Sequence, residues 1–125
     1  MPDNESLEAR VYEHVVGKGS PMQLLLDTGV LSHEWADTYL ALLREADEKW
    51  KHQPSWPPLL VAAIHVASFY LNLRYSAWTG FEKKRNEATE TLLGHIRTRS
   101  ETFLLSPIIA VYRSNTKKPE GLSQI

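Results

Sequence analysis

Residues Pro57 to Trp78, PPLLVAAIHVASFYLNLRYSAW, are apolar on nearly every side, and no other stretch limits the fold as strongly. A helix that is apolar all round has to be covered by protein or by lipid. Its polar residues, His65, Ser68, Asn72 and Tyr75 or Ser76, recur every three or four positions. On a helix that spacing draws a single polar seam along an otherwise apolar rod.

Lipid is the weaker of the two covers. The run Pro57–Leu73 is apolar for about 17 residues, the lower limit for spanning a bilayer. His65, Ser68 and Asn72 interrupt it and Arg74 closes it, each costly in hydrocarbon without a partner. The N-terminus, MPDNESLEAR, is acidic where a signal peptide would be basic. The expectation is no membrane and a cytoplasmic location, which the absence of cysteine also fits. That absence removes disulfides, zinc ribbons and thiol catalysis.

The 125-residue length suits one domain with a modest core. With 42% apolar and 23% charged residues, the composition is that of a globular chain. The spacing predicts short helices over residues 5–16, capped by Asn4, and 21–28, ended by Gly29. Ser32 caps a longer amphipathic helix reaching about His52, with Trp35, Ala36, Tyr39, Leu40, Leu42, Leu43, Ala46 and Trp50 recurring at helical spacing. On its outer face Arg44–Glu48, Glu45–Lys49 and Asp47–Lys51 stand as i,i+4 pairs. The corner QPSWPP then launches the central helix.

Thr79-Gly80-Phe81-Glu82 has the spacing of a capping box, so a new helix is expected from Gly80 to about Arg99. Its buried stripe would hold Phe81, Ala88, Leu92, Ile96 and Phe103, with Arg85 and Arg99 on the same side. Ser106–Pro107 would cap a last short helix to about Arg113. No stretch alternates long enough for a strand. The expected fold is all-α, a compact bundle of five to six helices around a buried central helix over 57–78. Residues 1–113 would form this single domain, and 114–125 a flexible polar tail.

Motifs of catalysis are missing: the sequence has no Gly-rich phosphate loop, H-E-x-x-H, EF-hand loop or nucleophile elbow. No two of the five histidines stand three or four residues apart. Folding the central helix back on its successor near Thr79 would bring His65 level with His95, and Arg74 or Tyr75 near Arg85. A helical-bundle enzyme or metal site on the His65 seam, with Ser68 or Asn72 orienting a ring, is one expectation. The alternative role for His65, Ser68 and Asn72 is interhelical hydrogen bonding that fixes register.

Charge offers a second signal. Residues 1–60 hold five basic against ten acidic side chains, and residues 61–125 hold nine against five. Arg74, Lys83, Lys84, Arg85, Arg97, Arg99, Lys117 and Lys118 would be the contacts if the C-terminal half met an acidic partner or nucleic-acid phosphates in a nucleoprotein complex. The leading expectation is a non-enzymatic helical interaction module without catalytic residues, cofactor or metal. It would act as adaptor, regulator or small subunit and bind a protein partner or a second copy of itself.

Overall fold

The structure, a computed structural model, describes residues 5–116, with side chains described through Pro107. Six α-helical elements follow in order: α1 (Leu7–Val15), α2 (Met22–Thr28), α3 (His33–Trp50), α4 (Pro58–His65), α5 (Leu71–Glu82) and α6 (Glu87–Thr116). A π-helical turn, Val66–Tyr70, joins α4 to α5 without a break, so these two elements form one rod. There is no strand among the described residues. The described residues form an all-α bundle of five helical rods, as the hydrophobic pattern predicts.

Caps set the helix starts. The Ser6 hydroxyl accepts from the Ala9 N–H at 3.2 Å, so α1 begins two residues later than a cap at Asn4 would allow. Asn4 itself lies outside the described residues. Ser32 caps α3 by accepting from the Trp35 N–H at 3.2 Å, as expected. Gly29 ends α2 in the left-handed conformation, with φ of 69°. A side chain there would also enter the indole of Trp78, so this glycine both turns the chain and admits α5.

The α4–α5 rod is the hub: α1, α2 and α6 all pack on it, while α3 packs on α1 and α6. Its inner face, Leu60, Ile64, Ala67, Leu71, Tyr75 and Trp78, keeps helical spacing through the π turn and is buried. At the Pro corner, the Trp56 indole N–H donates to the Trp50 carbonyl at 2.6 Å. The same ring stacks on Phe103 with centroids 4.5 Å apart.

Two further helix boundaries differ from expectation. No capping box forms at Thr79, whose hydroxyl donates back to the Ser76 carbonyl at 2.8 Å. The helix runs through Gly80 to Glu82 and stops at Lys83, which takes the left-handed conformation with φ of 55°. A glycine inside a helix costs about 1 kcal/mol, less than losing the burial of Tyr75 and Trp78 just before it. The next helix is capped by Asn86, whose side-chain oxygen accepts from the Thr89 N–H at 3.1 Å.

Likewise Ser106–Pro107 does not start a new helix, because α6 continues through both to Thr116. Proline leaves the carbonyl four residues back without its N–H. That carbonyl belongs to Phe103, and the Ser106 hydroxyl donates to it at 2.8 Å. Residues 117–125 lie outside the described residues.

On α6 the buried side chains are Thr89, Leu93, Ile96, Ser100 and Phe103. Ile96 and Phe103 were expected there; Phe81 and Ala88 are exposed and Leu92 is only half-buried. The shift follows from the later start of the helix and from two polar residues on the inner face. Thr89 accepts from the Leu31 N–H at 3.1 Å, and Ser100 shares a 2.6 Å hydrogen bond with the Tyr39 hydroxyl. No buried side-chain polar atom among the described residues lacks a partner.

Candidate interaction face

The rod is central in packing but covered on one side only. On its outer side Leu59, Phe69, Tyr70 and Leu73 keep 44–49% of their surface in solvent. Val61 and Ala62 are exposed beside them and Val66 is half-buried. A helix apolar all round is expected to be covered all round; here α1, α2 and α6 cover only the inner half.

The exposed side has an order of its own. Leu59, Ala62, Val66, Phe69, Leu73, Ser76 and Gly80 alternate at spacings of three and four, the repeat of a coiled-coil seam. Each of the seven is exposed or half-buried. Flanking them are His65, Tyr70, Asn72 and Ala77, so no Asp, Glu, Lys or Arg borders the seam between Leu59 and Leu73.

Midway along it stands a cluster of three rings, two of them on the π turn. Phe69 lies against His65 with centroids 5.7 Å apart and planes 20° from parallel. Tyr70 meets His65 edge-on at 5.8 Å and Phe69 edge-on at 5.3 Å. These are favourable aromatic geometries. π turns recur at functional sites, and clustered aromatics carry much of the binding energy at interfaces.

The polar seam read from the sequence does not gather into one site. His65 is exposed on the outer side, whereas Ser68 is buried and Asn72 half-buried. The Ser68 hydroxyl donates to the His65 carbonyl at 3.1 Å, and the Asn72 amide donates to the Ser68 carbonyl at 3.2 Å. Both bonds serve the backbone of the π turn rather than a neighbouring helix. His95 is exposed on α6. Among the described residues no three metal-ligating side chains converge.

The basic residues are dispersed too. Arg85 and Arg99, expected on a buried stripe, are exposed, and so is Arg74. Arg85 pairs with Glu90 through both carboxylate oxygens, at 2.6 and 3.0 Å. Tyr75 donates to the same carboxylate at 2.6 Å. Arginine and tyrosine together hold the Glu90 carboxyl down at about 2, while burial beside that carboxylate raises the Tyr75 phenol. Tyr75 does stand by Arg85 as expected, and Glu90 is what joins them. Arg97 pairs with Glu101 at 3.3 Å. Lys83 ends α5, Lys84 is exposed in the following turn, and Lys117 and Lys118 lie outside the described residues.

The three i,i+4 pairs expected on α3 do not form as ion pairs; Glu45 instead meets Arg10 of α1 at 3.5 Å. At the far end of α3 an open cavity of about 750 Å³ has Leu40, Leu43 and Phe103 in its floor and Arg44, Lys51 and Arg99 at its rim. Its hydroxyls are engaged, since Thr102 donates to Thr98 and Ser106 to Phe103 within their own helix. No helix among the described residues is long and apolar enough to cross a membrane. No protein-family model, curated protein or solved structure matches this chain.

Proposed function

We propose that the chain is a non-enzymatic helical interaction module, an adaptor, regulator or small subunit, that docks on protein through the outer face of the α4–α5 rod. One observation carries this reading: a seam of exposed apolar side chains, centred on the Phe69–Tyr70–His65 rings, runs along the helix that the rest of the molecule packs behind. Contiguous exposed apolar surface on a folded chain marks an interaction site. A seam at three-four spacing suits the apolar face of another helix.

Nucleic acid as the partner has less support. Arg85 and Arg97, two of the cations it would use, are engaged by Glu90 and Glu101. The outer face of the rod carries no Lys or Arg before Arg74.

The test is co-purification of the full chain from its own cells, beside a Phe69→Asp variant that melts at the same temperature. The reading expects a bound protein, another chain or a second copy of this one, that elutes with the wild type and is lost from the variant. Wild type and variant carrying the same partners would overturn it. A high 260 to 280 nm absorbance ratio that collapses in salt would favour the phosphate reading instead.

A further inference from the structure

The seam is complementary to itself, and we infer that its occupant is a second copy of this chain, docked antiparallel to form a two-fold dimer. The inference rests on the outer face of α4–α5 being a docking surface and names what docks there.

In an antiparallel pair, positions of the two seam types face each other across a two-fold axis. Placing that axis between Ala67 and Ser68 pairs the six seam residues from Leu59 to Ser76 and leaves only Gly80 beyond the contact. Leu59 then meets Ser76 of the other copy, Ala62 meets Leu73, and Val66 meets Phe69. A large side chain opposes a smaller one in every layer, so the layers fill evenly. A parallel pair would set Phe69 on Phe69 in one layer and Ala62 on Ala62 in another, one crowded and one hollow.

Charge points the same way. Flanking charges choose partners in helix pairs, and a charged helix would find no counterpart beside His65, Tyr70, Asn72 and Ala77. An uncharged seam matches an uncharged seam, and this chain carries one.

Area sets the strength. The large side chains of the face, chiefly Leu59, Phe69, Tyr70 and Leu73, are each only about half exposed, a small patch beside the about 800 Å² per partner of a standard interface. The dimer is therefore expected to be reversible, with Kd in the micromolar range rather than nanomolar.

Sedimentation velocity of the full chain over about 1–500 µM provides the test. The inference expects mass to rise from monomer toward dimer with concentration. Phe69→Asp should raise Kd by at least about tenfold. Leu24→Asp, at an exposed leucine on α2 away from the seam, should leave Kd unchanged. Orientation can be read cleanly because the chain has no cysteine. Leu59→Cys mixed with Ser76→Cys should give a disulfide-linked dimer, and neither variant alone should. Self-linking by Leu59→Cys alone would overturn the antiparallel arrangement.

A folded chain that stays monomeric throughout would overturn the dimer. If Phe69→Asp still released a co-purifying protein in that case, the docking face would stand with a different occupant. If it released nothing, the face itself would fall.

Discussion

Gly29 and Trp78 fit together only because glycine has no side chain. Gly29→Ala would suffer both a left-handed φ and a collision with the indole. It should lower stability by about 2–4 kcal/mol, measured by urea denaturation. Tyr39 and Ser100 are a second tight pair, buried from opposite helices. Ser100→Ala leaves the phenol unpaired and should cost about 1–3 kcal/mol, while adding Tyr39→Phe should cost less than the sum of the single changes. His14 stacks on Trp35 at 4.6 Å, and its Nε2 lies 3.0 Å from the Trp35 carbonyl. A carbonyl only accepts, so Nε2 carries the proton. Burial lowers the His14 pKa from 6.5, outweighing that hydrogen bond, and its titration followed by NMR should have a midpoint below that value. Tyr39 and Trp35 could be placed in the core from helical spacing. Ser100 could not, because a serine among charged residues gives no apolar signal until its partner is known.

Among the elements, α6 separates what a pattern reveals from what it hides. Its inner face contains Thr89 and Ser100, so a search for apolar spacing drifts to Ala88 and Leu92. The Thr79–Glu82 spacing looks like a helix start, but local capping loses to the packing of Tyr75 and Trp78 beneath it. What joins α5 to the first turn of α6 is the Tyr75–Glu90–Arg85 cluster. The Glu90 carboxyl lies lower in the folded chain, at about 2, than its ordinary 4.5. Its contribution to stability is therefore complete above about pH 4.5 and is lost as pH falls toward 2. Glu90→Gln should remove that part of the acid dependence, seen as a flatter plot of urea midpoint against pH between those limits. The rod itself was legible as a helix from its prolines and apolar run. The π turn was not, because no residue type in Val66–Tyr70 announces an extra residue in the turn.

For the whole molecule, the charged side chains of the described residues form a few exposed local pairs, such as Arg10–Glu45 and Arg97–Glu101. Pairs of that kind stabilise little. Two acid-sensitive groups act in different ranges. His14, depressed by burial, begins to withdraw stability as pH drops through 6.5, and Glu90 follows below about 4.5. Linkage between folding and dimerisation supplies a prediction at this scale. The melting temperature of the wild type should climb by a few degrees with protein concentration, and that of Phe69→Asp should not. By itself, the sequence determined an all-α chain, the starts of α3 and of the rod, and the rod at the centre. Those follow from local spacing, prolines and caps, which act over a few residues. Only the tertiary structure decided which side of the rod is covered. An apolar helix carries no mark of how many neighbours it will meet, and α1, α2 and α6 are too few to surround it.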